Sequence, residues 1–97
     1  MRTVYKFAVL LDGDNIVELN RSAGIIHVGM QNMVTFWAVV DPEAPKVRRV
    51  FRLFGTGHPV PDDYVPVGSV FDGPFVWHLF ERVGLPGSDP ASLSEGK

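Results

Sequence analysis

The chain contains no cysteine. Disulfide staples, thiolate zinc centres and cysteine nucleophiles are thereby excluded. Long apolar runs are missing too, and none approaches the roughly 20 residues a helix needs to cross a bilayer. Charge of one sign is scarce: 9 Lys and Arg against 11 Asp and Glu leave a formal charge of -2. No long-range field therefore draws the chain to nucleic acid or to an anionic membrane. The opening Met1–Lys6 is too polar for a secretory leader. A small secreted domain ordinarily carries bridges, so the expected setting is a reducing cytoplasm.

The 97 residues suit one domain, and an apolar content of 45% suits a packed one. Hydrophobic residues recur with period two, not 3.6, which predicts strands and no helix. Strands are expected over Val4–Leu11, Ile16–Leu19, Ile25–Gln31, Met33–Val40, Lys46–Phe54, Tyr64–Phe71 and Phe75–Val83. Asp12-Gly13-Asp14-Asn15 and Asp72-Gly73 have turn chemistry and predict hairpins on either side of them. Gln31-Asn32 is expected to turn between strands three and four. The two prolines of Asp41–Pro45 predict a loop.

The expected fold is thus all-β: a small antiparallel sandwich or barrel of about seven short strands over residues 1–83. Residues 84–97, rich in Gly, Pro and Ser, are expected to form a flexible, disordered tail. Several strands are apolar on both parities, as at Phe36-Trp37 and Val76-Trp77. A domain this small cannot bury both faces of each sheet, so a homo-oligomer is expected, with Trp37 and Trp77 as interface candidates.

Several stretches resemble a small domain-of-unknown-function family found in actinobacterial viruses and their hosts. They are Phe36-Trp37-Ala38, Val40–Pro45, Phe51-Arg52, Phe54–Pro61, Val67-Gly68 and Val76–Glu81. The resemblance covers nearly the whole chain to Val83. It implies a phage or prophage origin and the cytoplasm of a host cell, and it brings no reaction with it.

Gly55–Asp63 is the most unusual segment. Gly55 and Gly57 around Thr56 permit backbone conformations in which successive N–H groups form a nest for an anion. Thr56 could add a hydroxyl, His58 a ring N–H, and Asp62 and Asp63 carboxylates. The segment lacks the Lys and following helix of a phosphate-binding loop. Read without a ligand, the glycines turn the chain, Pro59 and Pro61 stiffen it, and the aspartates form side-chain turns.

The histidines His27, His58 and His78 show no metal-ligand spacing, so no metal and no cofactor is expected. His27 and His78 are read as half-buried strand residues, on strands that could be neighbours. His58 beside Asp62 or Asp63 offers a base and an orienting carboxylate, but Ser22 and Ser69 lie in no nucleophile motif, so no catalytic residue is assigned. Lys46, Arg48 and Arg52 share one face of strand five. A solvated strand face explains them better than nucleic acid does. These observations favour a non-enzymatic protein-binding module for a host or viral protein. The alternative is an anion or nucleotide module built on Gly55–Asp63, and a hydrolase using His58 comes third.

Overall fold

The computed structural model describes residues 1–84 and is all-β. Its strands are β1 (Thr3–Ala8), β2 (Asn15–Leu19), β3 (Gly24–Gln31), β4 (Met33–Val40), β5 (Val47–Gly55), β6 (Tyr64–Asp72) and β7 (Phe75–Arg82). They form a three-stranded sheet, β1-β4-β3, and a four-stranded sheet, β2-β5-β7-β6, with every pairing antiparallel. The architecture is a sandwich rather than a closed barrel. Beyond Gly84, the expected flexible tail lies outside the described residues.

Alternation along the strands builds the core. From β4 come Val34, Phe36, Ala38 and Val40; from β5 and β7 come Phe51, Leu53 and Leu79. Phe36 of one sheet meets Phe51 of the other with ring centroids 4.6 Å apart, and both are fully buried. An offset aromatic pair of this kind adds roughly 1 kcal/mol beyond its area burial.

The expected hairpin between the first two strands does not form. β1 pairs with β4, and β2 pairs with β5. The first strand also stops at Ala8 instead of Leu11. The cause is Asn15: its Oδ1 accepts from the Leu10 N–H and its Nδ2 donates to the Leu10 carbonyl. That clamp, with Gly13 at φ 70°, turns the chain out of one sheet and into the other. The β3–β4 and β6–β7 hairpins form as expected. Asn32 turns the first at φ 67°, a left-handed conformation that Asn tolerates.

Because β5 and β6 both run antiparallel to β7, they are parallel to each other. Their connection must therefore travel the length of the sheet instead of closing a turn. Thr56 bonds His78 at its start and Tyr64 bonds Asp14 at its end, so both ends lie on the outer face of the four-stranded sheet. There the Tyr64 and Phe80 rings meet Phe54 edge-on at 5.5 and 5.2 Å. Phe54 and Val50 are thereby buried on a face that is not the core. This covering is intramolecular, and it removes part of the apolar surface from which an oligomer was expected.

The two long sides of the sandwich differ. On one side β3 packs on β6, where Gly68 touches Val28. On the other side β1 and β2 are both free edges, with an open groove between them lined by Lys6, Phe7, Ile16, Val17, Glu18 and Arg48.

Candidate functional site

The Gly55–Asp63 segment satisfies its own polar groups. The His58 N–H donates to the Gly55 carbonyl at 3.1 Å, and the Gly55 N–H donates to His58 Nδ1 at 3.2 Å. The imidazole lies so close that a Cβ on Gly55 would meet it at 2.9 Å. Gly57 sits at φ 91°, which a side chain would disfavour. Two of the N–H groups an anion nest would use are thus engaged inside the turn. Thr56 faces His78, not His58. Asp63 accepts from Arg82 Nε at 2.7 Å, and its carbonyl accepts from the Val83 N–H. Asp62 is exposed. Neither aspartate is paired with His58 in a hydrogen bond among the described residues.

A pairing the sequence did not reveal involves Ser69. Its hydroxyl lies 2.6 Å from His78 Nδ1, while Thr56 Oγ1 lies 2.8 Å from His78 Nε2. Ser69 and His78 are cross-strand partners, and the crossover delivers Thr56. Counting back from the β6–β7 turn, Asp72 opposite Phe75, puts Ser69 and His78 opposite each other, and the bulge between Pro66 and Gly68 lies beyond them. A neutral imidazole satisfies both hydroxyls, donating to one and accepting from the other. With a hydroxyl where an acyl-transfer triad places a carboxylate, the cluster lacks the orienting group of that triad. His27 is exposed, not half-buried, and lies beside Trp37 on the outer face of the other sheet. The strands carrying His27 and His78 are therefore not neighbours.

The basic face of β5 is largely neutralised. Arg52 lies 3.7 Å from Asp14 and stacks over Phe54, and Arg48 stands opposite Glu18. Arg49 points between the sheets. It donates twice to Glu81, at 2.7 and 2.8 Å, and twice to the carbonyls of Asn20 and Ala23. Asn20 in turn holds the β4–β5 loop: its Nδ2 donates to the carbonyls of Asp41 and Pro45, and its Oδ1 accepts from the Asp41 N–H. These polar groups tie together the end of the sandwich that carries the β2–β3 and β4–β5 connections.

The opposite end is apolar. The β1–β2 corner, the β3–β4 turn and the β6–β7 turn surround a cleft of about 440 Å³. Leu10, Leu11, Met30 and Met33 line it while remaining 39% to 60% exposed. Asp12 and Asp72 are in its wall. Phe75, 57% exposed, follows the β6–β7 turn and stacks on Trp77 at 5.9 Å. A second cleft of about 470 Å³ shares Leu11 and Asp12 and adds Arg52, His58 and Trp77. The Trp77 indole N–H is the single buried side-chain polar atom without a partner among the described residues. Of the two interface candidates, Trp37 therefore sits on an outer sheet face, and Trp77 lies at this end, against the core.

Among the described residues no three His, Asp or Glu side chains converge as metal ligands, and no helix is long and apolar enough to cross a membrane. A protein-family model described as a domain of unknown function (DUF7352) matches residues 1–87. No curated protein and no solved structure matches the chain.

Proposed function

We propose, on the premise that this chain belongs to the family described as a domain of unknown function (DUF7352), that it is a non-enzymatic protein-binding module. Its contact is the loop-bearing apolar end of the sandwich. The observation that carries this reading is the clustering there of Leu10, Leu11, Met30 and Met33, all exposed around one cleft. Exposed apolar side chains scattered singly need no explanation, whereas a contiguous set does. Methionine suits such a surface because its unbranched thioether repacks around different shapes. Asp12 and Asp72 in the wall select the partner's chemistry: an apolar anchor segment flanked by Lys or Arg. An origin in a phage or prophage, and a partner from host or virus, belong to this reading on the sequence resemblance alone.

Three methionines in the chain make the test direct. Methyl-labelled protein is titrated with peptides selected from a displayed random library. The expected peptides carry apolar anchors beside basic residues and shift the Met30 and Met33 methyl signals, leaving Met1 in place. Leu11→Asp abolishes binding while the fold persists, and Asp12→Asn with Asp72→Asn weakens it most at low salt. Selected peptides that shift neither methionine, or that bind L11D equally well, exclude this end as the contact.

One observation favours a second reading, a small-ligand module. The unpartnered Trp77 indole N–H belongs to a residue lining the cleft that also holds Arg52 and His58. A ligand that lies against the indole and carries an anionic group for Arg52 would suit the cleft; the N–H itself is buried and would be reached only after a side-chain shift. Such a ligand would raise the melting temperature by mass action and perturb Trp77 fluorescence, whereas a peptide confined to the first cleft would act chiefly on the methionines.

A further inference from the structure

The sandwich has four strand edges, and three of them are guarded. β6 carries Pro66 and a bulge, and packs on β3. β3 has its own bulge at Ile26. β2 is five residues long and carries Glu18. Proline, bulges, charge and brevity are the ordinary protections of an edge against pairing with another chain.

β1 has neither proline nor bulge. It pairs with β4 without interruption from Thr3 to Ala8. Its single charge, Lys6, borders the groove but is tied back across the sheet. The Lys6 ammonium donates to Gln31 Oε1 at 2.6 Å, across the sheet on β3. Val4 and Tyr5 are about half exposed.

The phase of the open backbone groups follows from one bond. The Val9 N–H donates to the Val34 carbonyl at 2.8 Å, extending the β1–β4 ladder by one residue. In an antiparallel ladder alternate residues turn both backbone groups to the same neighbour. Thr3, Tyr5 and Phe7 therefore bond inward to β4, and Val4, Lys6 and Ala8 present N–H and C=O to the open side.

We propose that this edge pairs with β1 of a second copy, antiparallel about a two-fold axis through Tyr5, joining two three-stranded sheets into one. In that register Val4 exchanges backbone bonds with Lys6 of the second copy. Tyr5 faces its own symmetry mate, and Thr3 faces Phe7. A centre at Lys6 would set two ammonium groups opposite each other, which is unfavourable. The adjoining groove favours a copy of the same chain over a charged stranger. Its wall carries Lys6 and Arg48 against Glu18, charges of both signs that a second copy of the chain can answer with its own. A two-fold interface is self-complementary by construction, and a free edge supplies the backbone half of that complementarity. This surface is distinct from the apolar end assigned to the protein partner, so either assignment can fail alone.

The absence of native cysteine makes the register testable in the full chain. Facing residues in a non-hydrogen-bonded pair have Cα atoms roughly 4.5 Å apart, within disulfide reach. Tyr5→Cys is expected to give a covalent dimer under mild oxidation at least about tenfold faster than Thr3→Cys, Phe7→Cys or Ile26→Cys alone, because only position 5 meets itself. Thr3→Cys mixed with Phe7→Cys cross-links to a heterodimer, and sedimentation of the unmodified chain gives a dimer at about 100 µM. A monomer at that concentration overturns the proposal. So does a dimer in which Tyr5→Cys cross-links no faster than Ile26→Cys.

Discussion

Tyr64 shows how much one side chain can organise. Its ring closes the outer face of the four-stranded sheet against Phe54, and its hydroxyl donates to Asp14 at 2.6 Å. Burial first, and then the hydrogen bond to the Asp14 carboxylate, hold its pKa above the ordinary tyrosine value; Arg52 nearby opposes both. A raised pKa means the folded state favours the neutral phenol. That stabilisation is complete below the unfolded value of about 10 and is lost as pH rises through the folded value. Urea midpoints are therefore expected to fall from about pH 9 to about pH 11, and the fall should be shallower in Tyr64→Phe. Equal slopes in the two proteins would mean that Tyr64 ionises as freely in the folded chain as in the unfolded one.

At the scale of elements, the crossover and the β3–β6 seam decide the shape. The seam depends on Gly68: a Cβ there would meet Val28 Cγ2 at 2.8 Å, so the strands approach only because a side chain is missing. Gly68→Ala is expected to cost roughly 1–3 kcal/mol in chemical denaturation by overpacking. A companion Val28→Ala should recover part of that loss, and a double-mutant cycle showing no coupling would dissociate the two residues. The strands themselves were legible in the sequence. Alternation and turn residues located all seven within three residues at each end. Their partners were less legible, because Asp12–Asn15 has hairpin chemistry yet serves as a corner. What distinguishes the two uses is the Asn15 side chain clamping Leu10, a contact that composition does not encode. The candidate site was less legible still. The Gly-Thr-Gly-His segment was conspicuous, but its polar groups turn on one another and on His78. The apolar end is assembled from three separate connections, each of which alone reads as an ordinary turn.

For the whole molecule, the topology forces the two sheets to stand or fall together. Only the β3–β4 and β6–β7 pairings join strands adjacent in sequence; β1–β4, β2–β5 and β5–β7 all close over intervening elements. Such a chain must meet much of its loop-closure entropy before the core rewards it, which places folding in the millisecond-to-second range. The two sheets share the core between them, since Phe36 of one fills the space against Phe51 of the other. The two tryptophans report on this separately: Trp37 belongs to the three-stranded sheet and Trp77 to the four-stranded one. In Trp37→Phe the remaining fluorescence follows one sheet, and in Trp77→Phe the other. Each variant has its own stability, so each is compared with its own far-ultraviolet dichroism. Coincident fluorescence and dichroism transitions in both variants are expected, the mark of one cooperative unit. A fluorescence transition that precedes dichroism in one variant and trails it in the other would show the sheets separating before they unfold. The shared Phe36–Phe51 contact would then be too weak to couple them.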